Sequence, residues 1–136
     1  MFKPDTIPQL SPYLTVSDGT KSIDFYRNAF GFEIEDEVKD DAGKPMHVSM
    51  RKQDAYIMFS PEGAYGGAKK TPVNLGVTMP INMYVYCEDT DELYKQAVAY
   101  GATTIMEPQD SFWGDRFCAV SDIDGYEWCF ATVLKQ

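Results

Sequence analysis

Apolar residues recur at intervals of three and four in two stretches of the chain and alternate with polar ones in most of the others. Over 20–30, Ile23, Tyr26, Ala29 and Phe30 fall on one stripe, which predicts an amphipathic helix. Asp18 or Thr20 can cap its start, and Gly31 suits the left-handed turn that closes such a helix. The pattern returns over 90–100 with Leu93, Ala97, Val98 and Tyr100, with Asp89 or Thr90 as cap and Gly101 beyond. A short β-prone run precedes each helix, at 13–16 and 83–87. Three more follow each helix: 33–38, 46–51 and 55–60 in the first half, 103–106, 116–121 and 126–132 in the second. Asp40-Asp41-Ala42-Gly43, Lys52-Gln53-Asp54 and Asp124-Gly125 supply turns between them.

Each half therefore reads β-α-β-β-β, and a shift of the sequence by seventy places aligns them. It sets Thr20 on Thr90, Ile23 on Leu93, Ala29 on Ala99, Phe30 on Tyr100 and Gly31 on Gly101. The Gly- and Pro-rich stretch 61–72 separates the halves. The expected organisation is a single α+β domain over 1–136, built of module 1 at 1–62, a linker at 63–77 and module 2 at 78–136.

Composition narrows the function classes. The chain has 136 residues, enough for a core that needs neither disulfide nor metal to stay folded. Its 21 acidic and 12 basic residues give a formal charge of −9, which repels nucleic-acid phosphates and anionic lipid head groups. No apolar run reaches the roughly 20 residues of a membrane span, and Met1-Phe2-Lys3-Pro4-Asp5 lacks the apolar core of a signal peptide. Neither nucleic acid nor membrane is an expected partner, and the expected location is the cytoplasm. Cys87, Cys118 and Cys129 match neither zinc-knuckle nor Cys-x-x-Cys spacing and read as reduced thiols.

Two segments carry a family likeness. Tyr13-Leu14-Thr15-Val16-Ser17-Asp18 leads into Ser22-Ile23-Asp24-Phe25-Tyr26 and ends at Ala29-Phe30-Gly31-Phe32. Phe112-Trp113-Gly114-Asp115-Arg116-Phe117 is followed by Val120-Ser121-Asp122-Ile123-Asp124-Gly125-Tyr126-Glu127-Trp128. With the duplicated β-α-β-β-β unit, they resemble the vicinal oxygen chelate superfamily, which includes glyoxalase I, extradiol dioxygenases and fosfomycin- and bleomycin-resistance proteins. The likeness is to the glyoxalase/bleomycin-resistance-like subgroup in which a WGDR-type segment precedes the last hairpin. The resemblance implies two βαβββ modules that form a ligand cleft, commonly in a homodimer.

It also implies four metal-ligand positions, usually His or Glu, on the first and last strand of each module. Carried over residue by residue, these fall on Ser11, Met58, Asn82 and Cys129. None is His, Asp or Glu, and Met and Cys are soft donors that suit copper(I) or zinc rather than the magnesium, manganese, iron or nickel of these enzymes. A register slip of one residue would bring Glu127 or Trp128 to the fourth position. The single histidine, His47, rules out a His-His pair within one chain. No metal cofactor is therefore expected.

Other residues invite a functional and a plain reading. His47 alternates with Met46 and Val48 and is a candidate general base, or else a histidine satisfied by its neighbours. Trp113, Asp115 and Arg116 bring a large ring, a carboxylate and a fork of donors into one Gly-containing loop, as a ligand edge or as packing and ion pairing. In an extended segment Asp115 and Arg116 face opposite ways. Asn82, Tyr84 and Tyr86 share a face, and Tyr84, Tyr86 and Met58, with Glu127 and Cys129, are candidate ligand contacts. The plain alternative is core and dimer packing. The cysteines read as buried and inert, and the run Glu33, Glu35, Asp36, Glu37, Asp40, Asp41 as a solvated sheet edge.

Three functions remain in play. The first is a metal-independent protein that binds a small aromatic or cationic compound. The second is an enzyme of the superfamily, of lyase or isomerase type, acting on a small carbonyl or hydroxy compound through His47 or non-standard metal ligands. The third is a dimeric interaction module. Fold alone does not choose among them.

Overall fold

The computed structural model describes residues 1–135. In chain order the elements are β1 (Tyr13–Val16), α1 (Gly19–Phe30), β2 (Glu33–Lys39), β3 (Pro45–Lys52), β4 (Ala55–Pro61), a 3-10 turn (Ala64–Gly66), α2 (Pro72–Leu75), β5 (Asn82–Tyr86), α3 (Thr90–Ala99), β6 (Thr103–Asp110), β7 (Asp115–Ser121) and β8 (Glu127–Val133). They form two compact units: Met1–Arg27 with Gly31–Thr71, and Asn28–Phe30 with the chain from Pro72 on. Among the described residues no helix is long and apolar enough to cross a membrane.

Each unit is one four-stranded mixed sheet, ordered β1-β4-β3-β2 in the first and β5-β8-β7-β6 in the second. The first and last strands of each module pair in parallel and the remaining pairs are antiparallel. The duplicated β-α-β-β-β order is thus the observed one. Asp18 caps α1 by accepting from Lys21 N, and Asp89 caps the second long helix by accepting from Glu92 N. Asp is preferred over Thr there because its carboxylate meets both an orphan N–H and the positive end of the helix dipole.

Strand alternation sorts each sheet into a buried and a polar face. In the first unit Leu14, Val16, Val48, Met50, Ile57 and Phe59 are buried, and Tyr26 of α1 packs its ring 5.6 Å from that of Phe59. The opposite parity carries Tyr13, His47, Ser49, Met58 and Ser60. In the second unit Trp128, Phe130, Cys118 and Val120 are buried with Leu93 and Ala97 of α3. Phe30 joins them, its ring 4.7 Å from Phe130 and 5.0 Å from Trp128. Each such large side chain contributes on the order of 1.5–3 kcal/mol through burial. The opposite parity carries Asn82, Tyr84, Tyr86, Cys129, Ala131, Asp115 and Phe117.

Most element ends differ from the pattern-based expectation by no more than one residue, and one strand differs by more. β6 runs to Asp110 rather than ending at 106, because register shifts at Thr104/Met106 and Met106/Gln109 break the alternation that marks a strand. Strand β8 starts at Glu127, one residue later, since Tyr126 N is engaged by the Asp122 turn. Within the segment read as linker, Pro72–Leu75 forms a helical turn that packs over Gly125. Val73 N donates to Asp124 O at 3.1 Å, and a Cβ at Gly125, where φ is +94°, would stand 3.0 Å from Val73 Cγ2.

The carboxylates of β2 lie on an edge strand, as the charge run predicts. Arg51 forks onto Glu35 at 2.9 and 3.1 Å.

Candidate functional site

Four of the residues singled out in the sequence meet on the polar face of the second unit. The loop before β7 is held by Ser111, whose hydroxyl donates to Asp115 O at 2.8 Å and accepts from Asp115 N at 3.0 Å. Gly114 supplies the left-handed residue, at φ +99°, that the turn requires. This brings the Trp113 ring and the Asp115 carboxylate to one side. From β5, two strands away, Tyr84 and Tyr86 reach across β8, where Ala131 presents only a methyl group.

All three polar hydrogens land on one oxygen. Asp115 Oδ2 accepts from Tyr84 Oη at 2.6 Å, Tyr86 Oη at 2.8 Å and Trp113 Nε1 at 3.2 Å. Trp113 Nε1 also lies 3.2 Å from Tyr84 Oη. Asp115 itself is only 3% exposed, whereas Tyr84, Tyr86 and Trp113 are 43, 59 and 51% exposed. The carboxylate is buried under rings whose other surfaces face outward. Tyr84 and Tyr86 meet edge to face at 5.6 Å, and Trp113 lies between Phe112 at 5.1 Å and Phe117 at 5.2 Å.

The electrostatics follow from these contacts. The Tyr84 hydrogen bond, helped by those of Tyr86 and Trp113, holds the Asp115 carboxyl below the usual carboxylate range against the opposing effect of burial. Burial, followed by the hydrogen bond to Asp115, pushes the Tyr84 phenol up to about 12. The bond to Asp115 likewise raises Tyr86. Asp115 is therefore an anion at neutral pH, ringed by neutral donors, with no ion pair to any described residue.

Arg116 is not among its neighbours. Extended geometry turns its guanidinium to the other face, where it bonds Asp91 at 2.8 and 3.0 Å and Asp110 at 3.0 Å. Those two carboxylates raise its pKa, and the pairing braces the first turn of α3 against β7. Glu127 is half-buried on the polar-face parity, paired in register with Asn82. Cys129 is buried, and Asn82 Nδ2 lies 3.9 Å from its Sγ. Cys118 points to the helix-covered face, so these two thiols on adjacent strands do not face one another. Burial pushes Cys118 up to about 11 and raises Cys129 as well.

In the first unit His47 has a hydroxyl on each ring nitrogen. Tyr13 Oη lies 2.9 Å from Nδ1 and Ser49 Oγ lies 3.3 Å from Nε2. Tyr13 Oη is also 2.6 Å from Ser60 Oγ. Met58 is half-buried on the same parity, in register with Tyr13 and Ser49. Sequence reasoning did not find Tyr13, Ser60 or Ser111. The parallel pairing of β1 with β4 and the parity of each strand were the signals that contain the first two.

Comparison with known proteins supplies the family. The model of the Glyoxalase/Bleomycin resistance protein/Dioxygenase superfamily matches residues 6–130. The chain belongs to this superfamily. An uncharacterized protein of Mycobacterium tuberculosis, Rv0887c, is 32% identical over 131 residues, 95% of this chain and 76% of that protein. Among solved structures, TioX from Micromonospora sp. ML1 is similar at 22% identity and a TM-score of 0.68, covering 92% of this chain and 99% of that one. A superfamily enzyme from Burkholderia phytofirmans PsJN is similar at 18% identity and a TM-score of 0.70, covering 90% and 95%. At these identities the two structures speak for the fold.

The four positions to which the family resemblance assigns metal ligands carry no carboxylate and no imidazole in this chain. Ser11, Met58, Asn82 and Cys129 offer a hydroxyl, a thioether, an amide and a thiol whose pKa burial raises. No group of three or more His, Cys, Asp or Glu side chains comes together among the described residues. Such a set does not fit a hard divalent ion.

Proposed function

We propose that this superfamily member binds a small aromatic or cationic compound without a resident divalent metal, on the second module's face formed by Tyr84, Tyr86, Trp113 and Asp115. One observation carries the reading: three half-exposed rings are oriented by hydrogen bonds to one buried carboxylate. Rings fixed in this way present flat apolar surface at little entropic cost on binding. Their faces and the anion beneath favour positive charge through cation–π attraction and long-range steering by the chain's net charge of −9. The donor set at the superfamily's metal positions supports metal independence.

The proposed setting is a cytoplasmic homodimer, supported by exposed apolar side chains such as Phe112, 97% exposed, and Val133. Sedimentation equilibrium tests the dimer. The binding reading is tested by elemental analysis of untagged protein purified without chelator, followed by a thermal-shift screen of aromatic and cationic compounds. The expected result is substoichiometric metal and a raised midpoint with at least one such compound. About one metal per chain, together with ligand response only in its presence, would overturn it.

A second reading, an enzyme acting on a small carbonyl or hydroxy compound, is favoured by the Tyr13–His47 contact. With both imidazole nitrogens engaged, His47 would exchange protons with a substrate through Tyr13. His47→Ala separates the two readings: it abolishes turnover under the second and leaves ligand affinity within a few fold under the first.

A further inference from the structure

We infer that the ligand group recognised at this site is a protonated amine that still carries an N–H, and that its acceptor is Asp115 Oδ1. The inference rests on the binding reading above and narrows it to one charge class and one hydrogen-bond geometry.

The argument starts from the asymmetry of the carboxylate. Tyr84, Tyr86 and Trp113 all donate to Oδ2. Oδ1 accepts from no described residue, although a carboxylate oxygen offers two lone-pair sites and the residue is 97% buried by side-chain and backbone cover. The unpartnered oxygen is nevertheless not sealed off, since Ser11 Oγ is the only fully enclosed side-chain nitrogen or oxygen without a hydrogen-bond partner among the described residues. A buried carboxylate ordinarily acquires a cation. Here the adjacent Arg116 turns away to Asp91 and Asp110, and no other Lys, Arg or His among the described residues pairs with Asp115. The protein thus keeps a negative charge under three rings, arranges every donor on one oxygen and leaves the other oxygen without a donor.

A ligand that completes this arrangement brings a positive charge and at least one N–H. An ammonium N–H on Oδ1 forms a charge-assisted hydrogen bond, while its carbon substituents rest on the faces of Tyr84, Tyr86 and Trp113. A quaternary ammonium supplies charge without a donor. A neutral alcohol supplies a donor without charge. An anion meets repulsion from Asp115.

Isothermal titration at neutral pH in chelator-containing buffer, with four probes of one shape, separates these classes. The probes are phenethylammonium, its N,N,N-trimethyl analogue, 2-phenylethanol and phenylacetate. The expected order places phenethylammonium about tenfold or more ahead of the trimethyl analogue and of 2-phenylethanol, with no binding of phenylacetate. Asp115→Asn should remove the advantage. Because the ranking is read on the unaltered protein, it stands even where that variant fails to fold. Equal affinity for phenethylammonium and 2-phenylethanol would overturn the inference and leave the binding reading intact. Equal affinity for the primary and trimethyl forms would overturn the role of Oδ1. Absence of binding by all four at millimolar concentration would overturn the inference, while the compound screen above decides the binding reading separately.

Discussion

The Tyr84 hydroxyl donates to Asp115 Oδ2 at 2.6 Å, across the width of strand β8. Proton loss from Tyr84 would place two anions in contact, so its ionisation is coupled to the charge on Asp115. Ultraviolet titration of the native protein should show the Tyr84 phenol ionising near 12. In Asp115→Asn that midpoint should fall, yet stay above the ordinary phenol because burial, the larger cause, persists. An unchanged midpoint in the variant would contradict the contact.

The same contact sets a pH dependence. Asp115 is held below its ordinary value in the folded protein, so its stabilising effect is complete above the ordinary carboxylate range and is lost as pH falls through the lowered folded value. The difference in thermal midpoint between the native chain and Asp115→Asn is expected to hold constant from about pH 8 to pH 5 and to shrink below about pH 4. A difference that grows on acidification would reverse the assigned sign.

Asp122 holds the last hairpin from inside. Its Oδ1 accepts from Asp124 N and Tyr126 N, and its Oδ2 from the buried Trp128 Nε1 at 3.0 Å. Asp122→Ala leaves that indole donor without this acceptor and should cost about 1–3 kcal/mol. Trp128→Phe removes the donor, so the double variant should lose less than the sum of the two, as chemical denaturation can measure.

Thiol labelling checks the buried cysteines. Burial pushes Cys118 up to about 11, and Cys129 is raised for the same reason. Mass spectrometry after iodoacetamide treatment at pH 8 should find both unmodified in the native protein and labelled after denaturation. Rapid native labelling of Cys118 would contradict its placement beneath α3.

How much of this was legible in the sequence depends on the range of the interaction. The seventy-residue repeat, the Asp caps and the Gly31 turn are local and periodic, and the structure follows them. Strand β6 was not, because two register irregularities erase the alternation a pattern detects. Asp115 and Trp113 stood out as neighbours in one loop, and parity alone separated Arg116 from Asp115. That three donors share one oxygen was not readable, since Tyr84 and Asp115 are 31 positions apart and meet only through the β5-β8-β7 order. Tyr13 lies 34 positions from His47 and 47 from Ser60, so its hydroxyl gave no local sign of its partners.

The most direct test of metal-independent binding by the second module uses its two indoles as reporters. Trp113 Nε1 donates at the proposed site, whereas Trp128 Nε1 is buried on Asp122. In 15N-labelled protein kept in chelator, titration with phenethylammonium should move the Trp113 indole signal saturably and leave that of Trp128 in place. A Trp113 signal that stays fixed up to millimolar ligand, or moves only after a divalent metal is added, would contradict the account.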